Sequence, residues 1–68
     1  MTNKKLYRAA EARVGLVSKV VADKLGITPV ALSRKVNNQV DFKSSEIMGL
    51  IKILCLTPEE VVSIFFAE

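Results

Sequence analysis

Hydrophobic residues recur along most of the chain at spacings of three and four, in five segments separated by polar or glycine-containing breaks. This spacing places apolar side chains on one face of an α-helix, and no stretch alternates as a half-buried strand does. The segments cover about 3–14, 18–25, 28–37, 44–54 and 57–66. The pattern predicts an all-α protein, a compact bundle of about five short helices forming a single domain over residues 1–68.

Residues that favour helix ends lie at the boundaries of these segments. Short polar side chains accept bonds from early backbone N–H groups, proline is tolerated at the first position, and glycine suits a left-handed turn after the last. The predicted caps are Asn3, Thr28 and Thr57, followed in two cases by Pro29 and Pro58, and the predicted terminators are Gly15 and Gly26. Glu60, three residues after Thr57, is placed to complete a capping box.

The apolar positions also define the faces that we expect to pack inside. These positions are Leu6, Ala9, Ala10 and Val14, with Arg13 at the same spacing; Val21, Ala22 and Leu25; Leu32 and Val36; and Ile47, Leu50, Ile51 and Leu54. Cys55, between two leucines, is expected to be a small buried hydrophobe.

The final segment, "VVSIFFAE", leaves two interpretations open. Val61, Ile64 and Phe65 can fill the core at helical spacing, while Val62 and Phe66 fall on another face. Either both phenylalanines are needed inside so small a domain, or Val62 and Phe66 are partly exposed as a homodimer contact or docking surface.

Composition narrows the class of protein. Half of the 68 residues are hydrophobic, which favours a globular core. One cysteine and no histidine leave no internal disulfide and no zinc site, so we predict no metal and no cofactor. The basic start lacks an apolar signal region, and the apolar runs are shorter than the roughly 20 residues that span a bilayer. We therefore expect a cytoplasmic protein with no membrane partner.

Charge is distributed unevenly along the chain. Residues 1–43 contain nine basic and three acidic residues, whereas residues 44–68 contain one basic and four acidic residues. An N-terminal part with a formal charge of +6 suits an anionic partner. The alternative is an ordinary solvated surface that keeps the protein soluble.

Enzymatic chemistry is not indicated. Ser33, Ser44 and Ser45 have no histidine to activate them, and no glycine-rich phosphate loop is present. Glu59 and Glu60 are explained by their place in the first turn of a helix, where carboxylates favour the helix dipole. We expect a protein that is not an enzyme.

The second and third segments have the features of a helix-turn-helix over about residues 18–37. Two short helices are joined by the glycine-containing turn "GIT". The motif needs a small residue where the helices cross, glycine at the turn and two apolar plugs, which Ala22, Gly26, Ile27 and Leu32 supply. In this arrangement the third helix enters the major groove of DNA.

The chain from Leu16 to Phe66 resembles the lambda-repressor-like family of phage and bacterial regulators, the Cro/repressor helix-turn-helix group. The resemblance is carried by "LSRKVNN", "DFKSSEI" and "LTPEEVVSIFF" in addition to the helix-turn-helix. It implies a five-helix domain that binds double-stranded operator DNA, commonly as a homodimer, in the genetic switch of a phage or mobile element.

Residues around the third helix are the expected DNA contacts. Val30, Ser33 and Arg34 are predicted to meet base edges, since arginine can bind guanine with two hydrogen bonds and valine can contact a thymine methyl. The predicted phosphate contacts are Ser18, Lys19, Lys35, Asn38, Gln39 and Lys43.

The chain departs from the family pattern at several of these positions. Val17 and Ser18 stand where threonine and glutamine are usual, and Pro29 and Val30 stand where polar base-reading residues are often found. Asn38 replaces a frequent glycine, a mild change because asparagine tolerates left-handed geometry.

The apolar start of the third helix supports a second hypothesis. The same fold could serve an antirepressor that binds and inactivates a partner repressor protein, because Pro29 and Val30 suit a protein groove. Together with Val62 and Phe66 they form the candidate protein interface.

Overall fold

The computed structural model describes residues 1–66, which form five α-helices and contain no strand. The helices are α1 (Lys4–Val14), α2 (Ser18–Leu25), α3 (Pro29–Val36), α4 (Ser44–Ile53) and α5 (Pro58–Val61), and α5 continues into a π-helical turn, Val62–Phe66. The prediction of an all-α protein is confirmed. The predicted domain end at residue 68 lies outside the described residues.

Helices α1, α3 and α5 begin at the predicted caps. The side-chain oxygens of Asn3 and Thr28 accept hydrogen bonds from backbone N–H groups three residues later, each at 3.1 Å. Thr57 accepts from the N–H of Glu60 at 3.2 Å, and the Glu60 carboxylate accepts from the N–H of Thr57 at 3.0 Å, which completes the capping box.

Left-handed residues lie at or just after the ends of four helices, and two of them are the predicted terminators Gly15 and Gly26. Gly26 ends α2 with φ of 79°, a conformation that glycine adopts without strain. Asn38 has φ of 63° just after α3, as its side chain type allows.

Cys55 is an exposed residue, so the prediction that it is a buried hydrophobe was wrong. The chain leaves α4 through Cys55 in a left-handed conformation, with φ of 53°. The buried neighbours Leu54 and Leu56 both enter the core, and the sharp turn between them directs the intervening side chain outward. Arg13 stabilises this turn, because its guanidinium donates to the carbonyl oxygens of Leu54 and Cys55 at 2.9 and 3.2 Å and pairs with Glu60.

The core lies where all five helices and the π-helical turn meet. Its buried hydrophobic residues are Tyr7, Ala10, Val21, Ala22, Leu32, Val36, Leu50, Leu54, Leu56, Ile64 and Phe65. The inner faces expected for α2, α3 and α4 are therefore confirmed, with Ile47 and Ile51 packed against this cluster.

The inner face of α1 differs from the expected one. Tyr7, Ala10 and Glu11 are buried, whereas Leu6 and Ala9 are exposed. Both sets of positions have helical spacing, and the set that contains the large tyrosine ring packs inside because the ring removes more apolar surface from water.

Two features fix α2 and α3 against the rest of the molecule. Gly49 of α4 lies against α2, so closely that a Cβ atom built on it would stand 2.7 Å from Cδ1 of Leu25. The first residues of the chain bridge the end of α3 and the C-terminal turn, because the N–H of Asn3 donates to the carbonyl of Ile64 at 2.6 Å and Thr2 bonds to Asn38. Among residues 1–66, no helix combines the length and the apolar composition that a membrane span requires.

Candidate nucleic-acid interface

Helix α3 is anchored from one side and open on the other. Leu32 and Val36 are buried in the core, and Ile27, in the turn before the helix, packs against it. The opposite side of the helix carries Pro29, Val30, Ser33 and Arg34, all exposed. Helical spacing thus turns the three predicted base-contact residues, Val30, Ser33 and Arg34, toward solvent together.

The polar side chains on this open side differ in how far they are engaged. The Ser33 hydroxyl accepts a hydrogen bond from the amide of Asn37 at 3.3 Å and keeps its own hydrogen for another acceptor. Within residues 1–66 the Arg34 guanidinium has no ion pair and no hydrogen bond. Arg34 therefore presents five N–H donors outward.

Three of the predicted phosphate contacts flank α3 with exposed side chains. Lys19 lies in the first turn of α2, Gln39 follows the end of α3, and Lys43 precedes α4. Neither lysine forms an ion pair with the described part of the chain. These side chains can meet an anionic surface without first breaking an internal bond.

Lys35 differs from the predicted phosphate contact because it points into the protein. Only 8 % of the residue is exposed, and its ammonium lies 3.1 Å from a carboxylate oxygen of Glu46 and 3.4 Å from the carbonyl of Asp41. The pair joins the end of α3 to the start of α4. A buried, paired ammonium is structural, so Lys35 is not part of the candidate surface.

The Glu46 carboxylate is held in its charged form by this arrangement. Burial alone would raise the pKa of Glu46. The hydrogen bond from the Lys43 backbone N–H, at 2.7 Å, and the Lys35 ammonium have the opposite and larger effect, so the pKa of Glu46 lies below its usual value. The acid thus serves two helices, since it caps α4 and neutralises the ammonium from α3.

Ser18 is also engaged inside the protein. Its hydroxyl donates to the two carboxylate oxygens of Glu11 at 3.1 and 3.0 Å, and Glu11 is buried against α2. A hydroxyl has one hydrogen, so Ser18 cannot donate to a phosphate while this bond exists.

Burial of Tyr7 and the neighbouring Glu11 raise the pKa of the tyrosine well above its usual value.

Asn38 binds the start of the chain. Its side-chain oxygen accepts from the N–H of Thr2 at 2.7 Å, and its side-chain nitrogen donates to the carbonyl of Thr2 at 3.0 Å. Both polar groups of the amide are thereby used in holding the loop that follows α3. Of the six predicted phosphate contacts, Lys19, Gln39 and Lys43 remain available.

An apolar patch borders the polar residues of α3. It consists of Val17, Val20, Pro29 and Val30, all exposed, and Val30 is 61 % exposed. A shallow groove beside it is lined by Lys19, Val20, Asp23, Ile27 and Pro29. Sequence reasoning found Pro29 and Val30 but missed Val17 and Val20, although both lie off the inner face formed by Val21, Ala22 and Leu25.

The C-terminal turn divides its apolar residues between two faces. Ile64 and Phe65 are buried, and Phe65 packs edge-on against Phe42 with ring centroids 5.4 Å apart. Val62 and Phe66 are both more than half exposed. The interpretation in which Val62 and Phe66 lie outside the core is the one that the structure supports.

Comparison with known proteins gives a family and nothing beyond it. Neither a curated protein nor a solved structure matches the chain significantly. A family model matches residues 14–68, which is most of the chain and includes α2 to α5. The chain therefore belongs to the family described as "Protein of unknown function (DUF739)".

Proposed function

We propose that this protein is a sequence-specific DNA-binding regulator in the genetic switch of a phage or mobile element. In this proposal α2 and α3 are a helix-turn-helix of the lambda-repressor-like, Cro/repressor type, and α3 reads operator DNA. The observation that carries the proposal is the orientation of α3, whose core anchors Leu32 and Val36 leave Val30, Ser33 and Arg34 directed outward together.

The geometry of α2 and α3 supports this assignment. Both helices have eight residues, and the turn between them passes through Gly26 in the left-handed conformation. Ala22, completely buried, leaves room for α3 to approach α2. These are the residue types that the motif needs at a crossing and a turn.

In this proposal, some exposed side chains around α3 contact base edges and others contact backbone phosphates. Arg34 supplies the fork of donors that fits O6 and N7 of guanine, Ser33 supplies a shorter donor, and Val30 supplies an apolar contact for a thymine methyl. Lys19, Gln39 and Lys43 contact backbone phosphates on either side of the groove, which fixes the protein on the duplex without reading sequence.

Selection from a random duplex library, followed by binding measurements on the enriched sequence, tests the proposal. Wild-type protein should enrich one motif. Arg34→Ala should lose roughly 1–3 kcal/mol of discrimination between that motif and a scrambled duplex. Lys43→Ala is the matched control, because it also removes one exposed cation but should weaken binding to both duplexes alike. Failure to enrich any motif at low salt would count against DNA reading.

A second candidate function rests on the apolar patch of Val17, Val20, Pro29 and Val30. Phosphate groups make no favourable contact with apolar side chains, whereas the centre of a protein interface is apolar and contains few charged residues. With Ser18, Lys35 and Asn38 used internally, the same face suits an antirepressor that docks on the partner repressor of its switch.

Co-purification with that repressor separates this candidate from DNA binding. Val30→Asp should abolish the complex by placing a charge in the patch. Val40→Asp is the matched control, because Val40 is also an exposed valine but lies in the loop after α3. A complex that survives Val30→Asp would show that the apolar patch is not the docking surface.

A further inference from the structure

The shallow groove between α2 and the start of α3 combines an apolar wall with one acidic side chain. Val20, Ile27 and Pro29 form the wall, and Lys19 and Asp23 complete the lining. Asp23 is exposed and forms no ion pair within residues 1–66. Pro29 is the first residue of α3, so the groove lies at the end of the helix that contacts base edges in a helix-turn-helix.

The apolar wall of this groove suits one kind of group in DNA. Base edges in the major groove are mostly polar, and the apolar group that they offer is a methyl at C5 of a pyrimidine. Lys19 in the groove and Arg34 on α3 form no ion pair with the described part of the chain, so the wall lies on a surface that attracts an anionic duplex. On such a surface the wall makes a favourable contact where a 5-methyl group faces it.

Asp23 determines which methylated pyrimidine fits. Thymine presents the carbonyl oxygen O4 beside its methyl group, whereas cytosine presents the N4 amino group at the same place. An ionised carboxylate only accepts hydrogen bonds, so Asp23 repels the carbonyl oxygen and accepts from the amino group. Cytosine methylated at C5 therefore complements both the wall and the acid.

From this combination we propose that the groove binds a 5-methylcytosine of the operator, so that methylation of the DNA strengthens binding. The methyl group packs on Val20, Ile27 and Pro29, and the N4 amino group donates to Asp23. This inference rests on the proposed function, and it adds the chemical state of the DNA that the protein reads.

Two parallel selections test the proposal, one from a random duplex library made with cytosine and one from a library made with 5-methylcytosine. Fluorescence anisotropy then compares single substitutions in the enriched motif. At one C·G pair the methylated base should bind about four times more tightly than cytosine, the change that burial of one methyl-sized group produces. A T·A pair at that position should bind more weakly than the methylated pair. Equal affinity for methylated and unmethylated duplexes, or tighter binding of the T·A pair, would overturn the proposal.

Two variants assign the methyl preference to this groove. Val20→Ala removes part of the wall and should bring the four-fold preference close to one, whereas Val62→Ala, the matched control at an exposed valine of the C-terminal turn, should leave it unchanged. Asp23→Asn should keep the preference for 5-methylcytosine over cytosine and lose the discrimination against thymine, because an amide donates as well as accepts. A full methyl preference in Val20→Ala, or full discrimination against thymine in Asp23→Asn, would contradict the assignment. Circular dichroism of each variant checks that it is folded.

The same measurements separate this inference from the proposed function. A motif that is enriched from both libraries, with equal affinity for the methylated and unmethylated duplexes, would overturn the inference and leave DNA reading by α3 intact. Failure to enrich a motif from either library would overturn both.

Discussion

At the scale of single residues, the ion pair between Lys35 and Glu46 decides which cations reach the α3 surface. Its two side chains are 9 % and 11 % exposed, so this lysine is removed from the surface that its neighbour Arg34 occupies. Helical spacing already separates the two, since Lys35, three residues after Leu32, lies closer to the buried face of α3 than Arg34 does. The sequence could not supply the partner of Lys35, because Glu46 follows a loop whose path no local pattern determines.

Replacing Glu46 by glutamine should therefore destabilise the fold. The buried Lys35 ammonium would lose its counter-charge, and hydrogen bonds to charged groups contribute about 1.5–3 kcal/mol. We expect the free energy of unfolding at pH 7, measured by urea titration, to fall by about 2 kcal/mol. An unchanged free energy of unfolding would show that the pair contributes nothing to stability.

The same carboxylate predicts a dependence of stability on pH. Because the pKa of Glu46 is lower in the folded protein than in the unfolded chain, its contribution is complete above the ordinary glutamate value of about 4.3 and is lost as the pH falls toward the folded pKa. Urea titrations between pH 7 and pH 3 should show a shallower loss of stability on acidification in Glu46→Gln than in the wild type. Equal slopes would contradict this assignment. Glu60→Gln measures how much of the pH dependence comes from Glu60, a second carboxyl whose pKa is lowered.

At the scale of helices, local signals and packing contribute differently. The caps Asn3, Thr28 and Thr57 were predictable because each acts within one turn of its own helix. The buried face of α1 was not, because Leu6 and Tyr7 both fit a helical stripe and contacts with other helices determine which one packs inside. Cys55 was missed for a related reason, since its outward direction follows from the left-handed turn that closes α4.

Gly49 gives a test of packing between α2 and α4. A methyl group there would stand 2.7 Å from Cδ1 of Leu25, the flexible end of a side chain that can shift. Alanine in place of glycine stabilises a helix interior by about 1 kcal/mol, which offsets the cost of that shift. We expect Gly49→Ala to change the free energy of unfolding by less than about 1 kcal/mol, and Gly49→Leu to destabilise by roughly 1–3 kcal/mol through overpacking. Equal effects of the two would mean that α2 does not pack closely on Gly49.

At the scale of the whole molecule, charge is divided between a basic N-terminal part and an acidic C-terminal part. The residues 1–43 with their charge of +6 include α3 and both lysines of the candidate DNA surface. Because Lys35 is paired internally with Glu46, the proposed DNA surface carries less positive charge than the sequence indicates. Charge counts from sequence include such internal pairs, and only the folded chain distinguishes them.

The proposed binding to DNA predicts a salt dependence that is set by the two exposed lysines, Lys19 and Lys43. Each phosphate contact contributes about −0.9 to the slope of log K against log salt concentration, so Lys19 and Lys43 predict a slope of about −2 for each bound copy. Fluorescence anisotropy at several salt concentrations should give about −1 for Lys43→Ala and no change for Lys35→Met. A shallower slope for Lys35→Met than for the wild-type protein would show that Lys35 contacts a phosphate.

The outward side of α3 is the surface that we propose binds DNA, and an NMR titration of the ¹⁵N-labelled protein with the selected duplex tests this proposal. We expect the backbone amide signals of Val30, Ser33, Arg34, Gln39 and Lys43 to shift first and furthest, while those of Val62 and Phe66 change little. Shifts concentrated on the C-terminal turn, or no saturable shifts in α3 at low salt, would contradict it.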